Sequence, residues 1–123
     1  MRYLVKAKLK EGKLQQLKEA IDNNTLGKGS VAGGEYIRDM KHARLLKDKT
    51  ATWIEVCFCD PPLAEERPYW EEYFHLLKIT DATNRKNCKH ETGAKPWSCV
   101  NCKCTAHQEK EMKNFGVPFY ESL

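Results

Sequence analysis

Ten consecutive residues, Thr50-Ala51-Thr52-Trp53-Ile54-Glu55-Val56-Cys57-Phe58-Cys59, give the clearest strand pattern in the chain. β-Branched and aromatic side chains dominate this run, as is typical of β-strands. Successive side chains of a strand point to opposite faces of its sheet. The face that carries Ile54, Val56 and Phe58 is predicted to pack against helices. The opposite face, with the more unusual chemistry, carries Trp53, Glu55, Cys57 and Cys59.

The segments before this strand predict two further strands and a helix. Polar and apolar residues alternate over 3–10, which indicates a strand with one buried face. Leu14, Leu17 and Ile21 then recur at helical spacing. A loop with four glycines follows over 25–34. Residues 35–46 are predicted as the first arm of a hairpin, with its turn at 47–49, that leads into the central strand.

The segment after the central strand predicts a second helix and a last strand. Asp60-Pro61-Pro62 ends the strand, and Pro68 suits the first turn of a helix. Residues 78–83 form a short last strand. The element order over residues 1–84 is therefore βαββαβ, a ferredoxin-like α+β sandwich. The apolar side chains at helical spacing in the second helix are Trp70, Tyr73, Phe74 and Leu77.

This element order, the length of about 83 residues and the aromatic second helix resemble the dimeric α+β-barrel group of ferredoxin-like proteins. The resemblance covers residues 1–83 and includes no motif residue. It implies a homodimer. It also implies, as one alternative, an enzyme that acts on a small apolar or aromatic molecule bound between sheet and helices. Tyr36, His42 and Glu55 would be the chemical residues of such an enzyme.

Residues 85–123 form a cysteine-rich extension of different character. Their apolar residues show little periodicity before a short predicted helix at 105–114, so something other than an apolar face must order them. In Cys99-x2-Cys102, two thiolates can approach one ion at about 2.3 Å. Cys104 adds a third sulfur, and Cys88 would complete a tetrahedral site. His90 and His107 are substitute ligands. The pattern predicts a metal-binding protein, with zinc as the ion, whose metal clamps the extension.

Other interpretations of the cysteines stay open from the sequence. An iron–sulfur cluster also takes four cysteines, and six cysteines could instead pair as disulfides or stay free. Cys57 and Cys59 share a strand face and are either additional metal ligands or small apolar side chains of the sheet. Glu55 on that face is an acid–base residue, a residue at the edge of the sheet, or the partner of Arg38 or Arg44 in an ion pair.

The net charge and the first residues of the sequence argue against several classes of protein. The net charge is +4, from 21 basic and 17 acidic residues. This excess is too mild for the dense basic patch of a nucleic-acid partner. The first eight residues mix polar and apolar side chains, and no run reaches the roughly 18 apolar residues of a membrane helix. The sequence therefore predicts a cytoplasmic protein without a membrane or nucleic-acid partner. In a reducing compartment, clustered cysteines favour metal ligands over disulfides.

Overall fold

Five strands form one antiparallel sheet in the order β4-β1-β3-β2-β5, and helices complete a mixed α+β protein. The computed structural model describes residues 2–57, 59–81, 109–110 and 112–123. The strands are β1 (Arg2–Leu9), β2 (Arg44–Leu45), β3 (Ala51–Val56), β4 (Phe74–Asp81) and β5 (Val117–Pro118). The helices are α1 (Leu14–Asp22), α2 (Gly33–His42) and α3 (Arg67–Glu71), with a 3-10 turn at Tyr120–Ser122.

The two central strands, β1 and β3, show which face of the sheet meets the helices. Val5 lies opposite Trp53, and both side chains are fully buried in the core. The Trp53 ring packs on Trp70 of α3 with a centroid separation of 4.7 Å. The predicted orientation of the central strand is therefore wrong, because the face with Trp53, Glu55 and Cys57 meets the helices. Burying the large Trp53 ring among other aromatic rings outweighs burying Ile54 on that side.

Helix α1 and strand β1 are where the sequence predicts them. Leu17, Ala20 and Ile21 of α1 are buried, and the alternate residues Tyr3 and Val5 of β1 join the same core. Both elements have a single apolar periodicity, so local pattern and tertiary packing agree.

The predicted hairpin arm at 35–46 is wrong, because α2 occupies most of it. A strand there would place Arg38 on the same face as the buried Tyr36 and Met40. The helix keeps Tyr36 and Met40 together, one turn apart, and leaves the Arg38 side chain 37% exposed. Avoiding a buried guanidinium favours the helix. Only Arg44 and Leu45 of the predicted arm pair as a strand. The specific ferredoxin-like order is therefore not established, since two helices precede β2.

The predicted second helix is correct at its start and wrong at its end. Helix α3 stops at Glu71, and β4 begins at Phe74, so the last strand is longer than predicted. Phe74 stays in the core, whereas Leu77 is 54% exposed. Backbone pairing along β1 from Tyr3 to Leu9 explains the change, because it satisfies the polar groups of an otherwise open sheet edge.

Gly116 allows the C-terminal end of the chain to approach β2. Its φ is +52°, and a Cβ there would lie 1.9 Å from the carbonyl oxygen of Leu45. We expect Gly116→Ala to lower the free energy of unfolding by more than about 1 kcal/mol, because both the backbone and the neighbouring strand must shift. Gly34→Ala is the control, since a Cβ there meets nothing within 4 Å. Equal urea midpoints for the two variants would contradict this account.

Candidate metal centre

Cys57, Cys59 and Glu66 converge at the end of β3 and the beginning of α3. Cys57 directly follows the strand, and the loop over 60–66 reverses the chain so that Glu66 returns beside the sulfurs. Backbone hydrogen bonds hold this loop: Ala64 N–H donates to the Pro61 carbonyl at 3.1 Å, and Arg67 N–H donates to the Leu63 carbonyl at 2.8 Å. The position of the carboxylate is therefore set by the backbone of the loop.

The ligand atoms of these three residues all lie within 4.8 Å of one another. Glu66 Oε2 lies 3.3 Å from Cys57 Sγ and 3.6 Å from Cys59 Sγ. In a tetrahedral zinc site with the usual Zn–S and Zn–O bond lengths, a sulfur and a carboxylate oxygen are about 3.6 Å apart. Both sulfur–oxygen distances are thus close to those between ligands of one zinc ion.

The Cys57 thiol is buried, and its surroundings are arranged around the sulfur. Burial raises the pKa of Cys57 to about 12, so the metal-free thiol is protonated at neutral pH. The backbone N–H of Cys59 donates a hydrogen bond to Cys57 Sγ at 3.2 Å. Such a donor stabilises a thiolate when an ion displaces the proton. An ion that bound at this site would therefore displace the proton of the thiol.

Glu66 is a buried acidic residue, with 4% of its surface exposed. Within the described part of the chain, the hydrogen bonds to its carboxylate come from the two thiols, and a thiol is a weak donor. A buried carboxylate normally needs a positive charge or strong donors to offset its lost hydration. A cation between Glu66 and the sulfurs would supply that charge.

Glu55 is a second buried carboxyl group between β3 and α3. Its carboxylate accepts hydrogen bonds from the indole N–H of Trp53 and of Trp70, each at 3.0 Å. Glu55 lies in β3 and Cys57 directly follows the strand, while Glu66 and Trp70 are one helical turn apart. The Glu55–Trp70 and Cys57–Glu66 contacts are therefore two successive links between β3 and α3. Glu55 therefore helps to position α3, which begins directly after Glu66.

The three side chains suggested by the enzyme alternative lie on α2 and β3 and have different polar partners. Tyr36 is buried on α2, and its hydroxyl lies 2.9 Å from Ser30 Oγ. His42 is about half exposed at the end of α2, with Nδ1 3.9 Å from a Glu109 carboxylate oxygen. Glu55 is held by the two indole groups. Ion pairing of Glu55 with a hairpin arginine is wrong as a prediction. Arg38 pairs with Glu109 at 2.6 Å, and Arg44 donates to the backbone carbonyls of residues 113, 115 and 116.

The sequence predicts part of this cluster and misses one of its members. It places Cys57 and Cys59 on one face as additional ligands, and the structure adds Glu66 to them. The sequence analysis does not single out Glu66. The available signal was the Asp60-Pro61-Pro62 turn, which returns the chain toward the strand seven residues after Cys59. The other predicted ligands, Cys88, His90, Cys99, Cys102, Cys104 and His107, lie outside the described residues.

Two buried carboxyl groups give the metal-free fold a pH dependence. Burial raises the pKa of Glu55 to about 7, and burial raises the pKa of Asp39 well above its usual range. The folded state thus holds protons that the unfolded chain loses near pH 4. This contribution to stability is complete below pH 4 and is lost as pH rises through 7. It amounts to roughly 3 kcal/mol for Glu55.

Urea unfolding in chelator, at steps between pH 4.5 and 7.5, measures this effect. We expect the free energy of unfolding to fall with rising pH, and Glu55→Gln to fall less steeply because the amide does not titrate. A stability that rises over this interval, or an identical slope for the variant, would contradict the assignment.

No family model, curated protein or solved structure matches this chain. In the part of the chain that the structure describes, none of the helices has the length and apolar character needed to cross a membrane. The functional interpretation therefore rests on the geometry of the cysteine and glutamate side chains.

Proposed function

We propose that this chain is a zinc-binding protein in which Cys57, Cys59 and Glu66 hold the ion. The observation that carries the proposal is the convergence of two sulfurs and a carboxylate oxygen within 4.8 Å of one another. The weakly compensated burial of Glu66 and the backbone N–H of Cys59 that donates to Cys57 Sγ support it.

The donor set favours zinc over the alternatives. Thiolates and carboxylates are both ordinary zinc ligands, and zinc adopts the tetrahedral geometry that the spacing fits. An iron–sulfur cluster is ordinarily held by cysteine thiolates, so a carboxylate in the set argues for zinc. The three ligands leave one tetrahedral position open. We propose that a thiolate of the extension, from Cys88, Cys99, Cys102 or Cys104, occupies it, with His90 and His107 as substitutes.

The role that follows from this ligand set is structural. An ion bound to Cys57 and Glu66 joins the end of β3 to the beginning of α3, and a fourth ligand from the extension joins residues 85–123 to the body. Zinc would thereby supply ordering energy to a segment with few periodic apolar residues. The body itself we propose to be a variant of the ferredoxin-like arrangement. The spatial order β4-β1-β3-β2 supports this, with α2 as an additional helix.

Metal analysis of the anaerobically purified full chain tests the proposal. We expect a colourless protein with at least one stoichiometric zinc, and one zinc fewer in Cys59→Ala. Cys59 is a suitable position because its side chain is only partly buried, so its truncation leaves a small cavity. A brown protein containing iron and sulfide, or an unchanged zinc content in Cys59→Ala, would contradict the proposal.

A further inference from the structure

The face of the sheet that points away from the helices carries a groove of about 540 Å³. Small-molecule sites commonly range from about 300 to 1,000 Å³, so this groove is large enough for a ligand. Its floor is formed by outward-facing residues of β1, β3 and β4, and its wall by residues after β2 and before β5. The side chains discussed below are Leu4, Lys6, Leu46, Lys47, Lys78 and Phe115.

Three lysines give the groove a positive charge. Lys6 and Lys78 are direct partners across β1 and β4, an arrangement in which like charges destabilise a sheet. Lys6 is compensated by Asp48, whose carboxylate oxygen lies 3.0 Å from Lys6 Nζ. Among the described residues, no carboxylate lies within ion-pair distance of Lys47 or Lys78. Two ammonium groups are therefore available to an anionic ligand.

The groove also has an apolar part beside these lysines. Leu4 and Leu46 contribute aliphatic surface, and the Phe115 side chain is 49% exposed although it is aromatic. An exposed apolar surface beside uncompensated ammonium groups suits a molecule that has both an apolar body and an acidic head. Neither a purely polar anion nor a neutral apolar molecule would satisfy both parts.

We propose that this groove binds a small amphiphilic carboxylate, with the acid group at Lys47 and Lys78 and the alkyl chain along Leu4, Leu46 and Phe115. Charge argues against a second copy of the chain as the occupant. Two copies that pack these faces together would bring the two uncompensated lysines of each groove toward those of the other, and like-charge contacts oppose association. The proposal does not depend on the metal centre, which lies on the helix side of the sheet.

Calorimetric titration of the full chain with decanoate, below its micelle concentration, tests this inference. We expect saturable binding of one equivalent, and no saturable binding of decanol, which has the same chain without the charge. Lys78→Glu should raise the Kd for decanoate at least about tenfold, equivalent to about 1.4 kcal/mol. Lys41→Glu is the matched control, because it makes the same charge change at an exposed position on α2, which packs on the other face.

Phe115→Ala tests the apolar contribution to decanoate affinity separately from the charge. It should also weaken decanoate binding, because the alkyl chain loses its aromatic contact. Three results would overturn the proposal: decanoate that does not saturate, equal Kd values for Lys78→Glu and Lys41→Glu, or a dimer whose dissociation is required for binding. Sedimentation of the wild-type chain detects the last of these. Zinc content in the same samples distinguishes this outcome from failure of the proposed metal site.

Discussion

Glu55→Ala is expected to lower the free energy of unfolding by about 3 to 5 kcal/mol. The substitution removes the acceptor of two buried indole N–H groups, from Trp53 and Trp70. Each buried donor left without a partner costs about 1 to 3 kcal/mol, and a cavity adds to this. Urea unfolding monitored by tryptophan fluorescence measures the change directly, because both affected rings are reporters.

Glu55→Gln is the matched control for this prediction, since its amide oxygen can still accept from the indoles. We expect it to retain most of the stability at pH 7, where the buried carboxylate itself is costly. If the alanine and glutamine variants unfold at the same urea concentration, the indole hydrogen bonds do not stabilise the fold. A loss below 1 kcal/mol for Glu55→Ala would have the same meaning.

Glu66→Gln is expected to raise the Kd for zinc by about 100-fold, the second large effect. The amide keeps the size of the side chain but is a poor zinc ligand, so one of the three described donors is lost. Replacing a residue that only hydrogen-bonds to a metal ligand already lowers metal affinity by about 10- to 100-fold. Competition against a chromogenic zinc chelator at constant pH measures the Kd.

Glu65→Gln provides the control for this measurement, because it makes the same chemical change one residue earlier. Glu65 accepts hydrogen bonds from Ser30 Oγ at 2.9 and 2.8 Å and is absent from the cysteine cluster. Its Kd for zinc should stay within about twofold of the wild type. Equal weakening in both variants would mean that net charge, and not ligation by Glu66, governs the affinity.

The fold could be predicted from the sequence where one periodicity dominates. The apolar residues of β1 alternate and those of α1 recur at helical spacing, so both elements are predicted correctly. Tyr36 and Met40 fit either a strand or a helix, and the choice depends on keeping Arg38 near solvent. Phe74 likewise fits both a helix and a strand, and pairing with β1 decides in favour of β4.

The site could be predicted in part for a related reason. The strand pattern predicts Cys57 and Cys59 on one face, and although β3 ends at Val56 their sulfur atoms still lie close together. The approach of Glu66 depends on how the loop over 60–66 turns and on where α3 begins, and neither follows from local propensity. The burial of Glu66 also depends on which face of β3 meets the helices, and the large Trp53 side chain determines that face.

The central claim, that Cys57 and Cys59 bind the metal, is tested most directly by cobalt(II) titration. Cobalt substitutes for zinc, and its thiolate charge-transfer absorption grows with the number of sulfur ligands. In the test variant, both cysteines are replaced with alanine and the cysteines of the extension are kept. We predict that this variant loses at least the absorption that two sulfur ligands contribute, and that it binds cobalt more weakly. A double variant with the same spectrum and affinity as the wild-type chain would contradict the account, because the metal would then be held elsewhere.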